Sequence, residues 1–203
     1  MAERLDRAPM IDALRRSRAR DRRTSHSAGG TWLARGAMIA ALLVSLGALD
    51  WNRDTVFIDV ELEHFELRAT ADGITTPVYR VATGTPAHPT PTGRFDLRHW
   101  IGNPGYTPGP AARANGAVAT RPSRSGPLGY AKIPFFRSFQ VHGGAHRYAL
   151  GAPVTLGCVQ LTDDAMRRLE AWLAARGALE AGIETPHGEV RHLFRRPTTL
   201  VIR

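Results

Sequence analysis

One cysteine, Cys158, and one histidine sixteen residues before it, His142, are the groups in this sequence best suited to covalent chemistry. Each lies beside glycine: Gly143 and Gly144 follow the histidine, and Gly157 precedes the cysteine. A thiol attacks as thiolate, and a nearby imidazole can take its proton. Glycine before a nucleophile lets backbone N–H groups face an incoming carbonyl, where each donor is worth about 3 kcal/mol to a developing oxyanion. Cysteine, histidine and backbone amides are the minimum kit for acyl transfer. The same cysteine could equally be a buried small hydrophobe or half of an intermolecular bridge; alone, it closes no internal disulfide and builds no cysteine-rich metal site.

The remainder of the chain must position that pair. Its 203 residues, 43% of them hydrophobic, suffice for one ordinary domain plus a tail and argue against a wholly disordered protein. The formal charge is +9, carried by arginines and a single lysine, Lys132. An excess of that size suits any anionic partner, whether nucleic acid, membrane surface or acidic wall polymer, and does not choose among them. A nucleic-acid role rests on charge alone, without a recognition motif, and is set aside.

Residues 1–35 are polar and rich in arginine, and residues 36–49 form a run of 14 without a charge. A bilayer core needs roughly 20 apolar residues as helix. A basic stretch, a shorter apolar run and small residues at its end (Ser45, Gly47, Ala48) read as a secretory signal, with an uncleaved membrane anchor as the second reading. The expectation is export, to periplasm or cell wall, with residues 1–50 as leader and 54–203 as the working domain.

That domain reads as strands and turns. Short β-rich stretches at 56–60, 65–69, 78–81 and 95–98 are separated by turn signals at Asp72-Gly73, Thr83-Gly84 and Pro91-Thr92-Gly93. Residues 102–129 are dense in Gly and Pro and predict a long loop of the kind that carries function. Phe135, Phe136, Phe139 and Val141 lead into a strand ending near His142, and a last strand is expected at 198–202. One helix is expected over about 163–176. Thr162 can cap it, Asp163 and Asp164 sit in its first turn, and Ala165, Met166, Leu169, Trp172 and Leu173 share a face before Gly177 stops it.

Pro89-Thr90-Pro91-Thr92-Gly93, then Val141-His142-Gly143, then Thr155-Leu156-Gly157-Cys158-Val159-Gln160-Leu161 follow in an order and spacing that resemble the L,D-transpeptidase (YkuD-like) catalytic domain. The resemblance runs from about residue 56 to 202. It implies a mainly β fold, a sandwich or barrel with one packed α-helix. It also implies an enzyme acting on peptidoglycan stem peptides, with no cofactor and no metal. By position Cys158 would be the nucleophile and His142 the base, with the Gly143 carbonyl orienting the imidazole. The N–H groups of Gly157 and Cys158 would form the oxyanion hole, and Thr155 would open the cysteine motif. Two positions depart from the family pattern: Leu156 stands where histidine is usual, and Gln160 where arginine is usual. Transfer to an amine and hydrolysis to a shortened stem therefore both remain open, as does a wall-binding module with a weakened site. Oligomeric state is not legible.

His146, four residues after His142, invites a metal reading, but no helix is expected there and no third ligand is evident. Asp163 and Asp164 read as helix-start charges rather than an acid pair. Arg121, Arg124, Arg137 and Arg147 are candidates to meet substrate carboxylates, with a solvated face as the plainer account. His64, His88, His99, His187 and His192 are expected on surface or loops.

Overall fold

The computed structural model describes residues 54–203; the basic leader and the apolar run at 36–49 lie outside them. Ten strands build one curled sheet in the order β10-β8-β7-β6-β12-β1-β2-β3, with β11 on β12 and β4 on β2. In chain order these are β1 (Val56–Glu61), β2 (Glu66–Ala71), β3 (Ile74–Thr75), β4 (Tyr79–Arg80), β6 (Gly93–Gly102), β7 (Ala131–Phe136), β8 (Phe139–His142), β10 (Val159–Gln160), β11 (Ile183–Glu184) and β12 (Val190–Ile202). β5 (Thr83–Gly84) and β9 (Pro153–Thr155) pair in parallel as a separate two-stranded sheet. The mainly β architecture with one principal helix is as expected.

Strict alternation makes β1 and β2: Val56, Ile58 and Val60 of one, and Leu67, Ala69 and Ala71 of the other, are buried, and their neighbours are half-exposed. The helix α2 (Asp163–Ala175) lays Ala165, Met166, Leu169 and Leu173 into the same core, which also holds Trp100, Ile133, Val141 and Val159. Thr162 Oγ1 accepts from the Ala165 N–H at 3.1 Å, which caps the first turn. At the other end Gly177 N bonds Ala174 O and Ala178 N bonds Leu173 O, a Schellman stop.

Two strands are longer than the sequence predicts. β12 runs over 13 residues, of which only 198–202 were expected. Pro197 and the arginines before it conceal the rest. The structure accommodates them in a bulge: between Leu193 and Thr198, five positions of β12 advance while β6 advances two, from His99 to Leu97. At that bulge β12 changes its second partner, from β11 to the parallel β1. β6 extends to Gly102 and so reaches β7 at Ile101 and Gly102. Two histidines expected on surface or loops, His99 and His192, are half-buried strand residues of β6 and β12.

The expected long loop is present between β6 and β7, with a short helix α1 (Pro110–Ala114) inside it and a bridge between Tyr106 and Thr120 holding it together. Among the described residues no helix is long and apolar enough to cross a membrane.

Candidate active site

β8 and β10 bring the two reactive residues to one cleft: His142 ends β8 and Cys158 immediately precedes β10. The strands are parallel, with Val141 opposite Val159 and His142 opposite Gln160. Both valines are fully buried in the core, so alternation turns Gln140, His142, Cys158 and Gln160 to the other face. There all four line a cleft of about 600 Å³. The β6–β7 segment lines it too, through Tyr106, Thr107, Pro110 and Leu128, and Leu156 and Phe139 add apolar surface. Among the described lining residues none is Asp, Glu, Lys or Arg.

His142 is 7% exposed, and its Nδ1 lies 2.8 Å from the Gly143 carbonyl oxygen. A carbonyl can only accept, so Nδ1 carries the proton and Nε2 keeps its lone pair. Burial pushes the imidazole down to about 4, against the opposing pull of the Gly143 carbonyl and of Asp163; Lys132 pushes the same way as burial. Lys132 is the cross-strand neighbour of His142 on β7. Burial likewise pushes the Cys158 thiol up, offset in part by the Gln140 N–H directed at the sulfur. Both shifts favour the uncharged forms, a thiol and an imidazole that line one cleft. Tyr106 shares the cleft with Cys158, and its phenol is raised first by burial and then by Cys158.

The loop carrying Cys158 is held from three sides. Thr155 Oγ1 donates to the Cys158 carbonyl at 2.7 Å and accepts from the Gly157 N–H at 3.2 Å. Gly157 has φ +107°, and a Cβ there would lie 2.4 Å from the Phe139 ring, so no other residue fits. Behind it, the Thr90 hydroxyl accepts from the Gly84 N–H at 2.8 Å, and Gly84 runs against the Gly157 Cα. The Thr-Pro-Thr-Gly turn therefore serves as a brace behind the cysteine loop.

One expectation changes. The Gly157 N–H, assigned by resemblance to the oxyanion hole, is already taken by Thr155, whereas the Cys158 N–H has no partner among the described residues. Cys158's own N–H is the unengaged backbone donor of this loop among the described residues.

Gln160, standing where arginine is usual, is a second and longer donor, 3.5 Å from Nε2, to the Gly143 carbonyl that holds His142. Leu156 lines the cleft as an apolar wall. Arg121, Arg124, Arg137 and Arg147 are exposed and line none of it; Arg124 stacks on Tyr130 and Arg137 on Phe136 instead. His146 is exposed and stacks on Tyr148. Among the described residues no cluster of three metal-ligating side chains occurs. His88 lines the cleft, a position that only the tertiary fold reveals.

Asp163 does more than start a helix. Its Oδ1 accepts from the Tyr130 N–H at 2.7 Å and from the Gly144 N–H at 2.8 Å, joining the end of the β6–β7 segment to the residues after His142. The segment's other end is pinned as well. Lys132 Nζ donates to the Gly105 carbonyl at 2.9 Å, and Glu189 accepts from the Gly105 N–H at 3.0 Å. Neither acid nor lysine announces such a role locally, because every partner is distant in sequence.

Comparison with known proteins agrees with this geometry. The L,D-transpeptidase catalytic domain model (YkuD) matches residues 55–191. Similar solved structures include an L,D-transpeptidase from Enterococcus faecium, at 16% identity over 73% of this chain and 49% of that one, TM-score 0.50. Others are L,D-transpeptidase 3 from Mycobacterium tuberculosis in complex with a faropenem-derived adduct (16%, 73% and 60%, TM-score 0.47) and an L,D-transpeptidase from Mycobacterium smegmatis (17%, 73% and 58%, TM-score 0.44). The chain spans between 49% and 60% of the length of these proteins, and the likeness is one of fold. No curated protein matches the chain. On the extent of the domain match, the chain belongs to the L,D-transpeptidase catalytic-domain family.

Proposed function

We propose that this chain is an exported cysteine acyltransferase that cross-links peptidoglycan stem peptides. The observation that carries the reading is the imidazole fixed in one tautomer, Nδ1–H on Gly143, in the same cleft as the lone cysteine of a family-matched domain. His142 Nε2 takes the thiol proton as Cys158 Sγ attacks the carbonyl of the diamino acid at the third stem position. The Cys158 N–H receives the oxyanion. The C–N bond to the terminal D-residue breaks, and His142 returns the proton to the departing amine. A thioester remains. An amine of a second stem then attacks it, giving its proton to His142, and the S–C bond breaks to regenerate the thiol.

Export is supported by the basic leader and the charge-free run at 36–49, which read as a signal or anchor and would put residues 54–203 outside the cytoplasmic membrane. The test is to incubate the purified protein with muropeptides bearing tetrapeptide stems and weigh the products. Cross-linked dimers support transfer. Shortened monomers would make it a carboxypeptidase. No product from wild type, with a profile identical to Cys158→Ala, would overturn both readings on this substrate. A carbapenem adduct on wild type and none on Cys158→Ala is the expected companion result, by analogy with the faropenem-derived adduct of the M. tuberculosis enzyme.

A further inference from the structure

We propose that Asp163 is a positioning residue that acts on His142 through the intervening Gly143–Gly144 peptide, so that carboxylate, peptide and imidazole form a relay of three. This rests on the reading above that His142 is the base. The Gly143 carbonyl and the Gly144 N–H belong to one planar peptide unit, and in a trans peptide they point in opposite directions. Asp163 Oδ1 holds the N–H end at 2.8 Å, and His142 Nδ1 donates to the carbonyl end at 2.8 Å. A carboxylate on the N–H side polarises the amide and makes its carbonyl a stronger acceptor. That acceptor strengthens its hold when the ring becomes imidazolium. In serine-protease triads an aspartate bonds the histidine directly to the same end; here a peptide stands between them.

The surroundings are shaped for this contact. A Cβ at Gly143 would lie 2.3 Å from Asp163 Oδ1, and one at Gly129 would lie 2.2 Å from it. Two glycines on separate segments thus open the space the carboxylate occupies. It stands in the first turn of α2. Among the described residues the charged groups bearing on the ring are Asp163 from α2 and Lys132 from β7, of opposite effect. The other titratable groups of the cleft are Cys158, Tyr106 from the β6–β7 segment, and His88.

Asp163→Asn separates charge from geometry, because an amide oxygen still accepts from both N–H groups. In the full chain with labelled histidine, NMR of His142 is expected to show the Nδ1–H tautomer kept and the acid titration moved to lower pH. Alkylation of Cys158 by iodoacetamide is expected to slow on the order of ten-fold. Asp164→Asn, the exposed neighbour paired with Arg168, is expected to change neither. Unchanged titration and rate in Asp163→Asn would overturn the relay, as would slower alkylation with an unmoved titration, which would leave a merely structural contact. Neither measurement uses a stem peptide, so failure of the muropeptide reaction and failure of the relay are separate outcomes.

Discussion

The two flanks of the sheet are built by different rules. On the β1–β2 flank, apolar residues alternate into the core and the outer face carries paired charges: Arg203 with Asp59 and Glu61, Arg68 with Glu66. On the β8–β10 flank the lining bears no Asp, Glu, Lys or Arg, the backbone turns on glycine, and hydroxyls and one carboxylate tie down peptide groups. The first flank should withstand many substitutions, because its energy is spread over area. The second is held by a few directed bonds. Stability and reactivity should therefore respond to different mutations.

The sharpest break is Cys158→Ala. Transfer to muropeptides should fall by roughly a thousand-fold or more, while thermal unfolding stays close to wild type. Leu169→Ala is the converse. It empties a fully buried site under the sheet and should cost about 2–5 kcal/mol in urea unfolding, with transfer per folded molecule retained. A similar loss in both properties from either variant would abolish the contrast.

Acidification comes next. The buried His142 holds its proton only near pH 4, against about 6.5 in the unfolded chain, so the unfolded state binds more protons between those values. Stability from this group is complete above about pH 6.5 and is lost as pH falls toward 4, by about 3 kcal/mol. Urea titrations at several pH values should show that slope in wild type and a shallower one in His142→Gln. For the same reason the acidic limb of the transfer rate should lie near pH 4 and not near 6.5.

Thr155→Val removes a hydroxyl that makes two bonds in the cysteine loop. About 1 kcal/mol of stability should go, with a larger proportional loss of Cys158 acylation by a carbapenem. The smallest effect belongs to the opposite flank. Arg203→Ala should scarcely move the urea midpoint, and high salt should erase what difference there is. A large, salt-insensitive shift would show that the paired face is more than solvated charge.

Much of this was legible because it is local. Cys158 with Gly157, His142 with Gly143, the Thr90 turn and the helix from Asp163 each carry their signal within a few residues. What was hidden is non-local. Pro197 broke the alternation that marks a strand, and only pairing with β6 carries β12 across it. The two acids after Thr162 look alike in sequence, yet one faces solvent beside Arg168 and the other gathers N–H groups from two distant segments. Tyr106 and His88 enter the cleft only through the path of the loops that carry them.

The single lysine has a consequence at the bench. Lys132 Nζ is the chain's one side-chain amine, and it is occupied by the Gly105 carbonyl and the Glu189 carboxylate. Amine-directed dyes and cross-linkers therefore find almost no side-chain target in this protein. A fluorescent amine offered as a reaction partner can be followed onto stem peptides with little self-labelling of the chain to subtract.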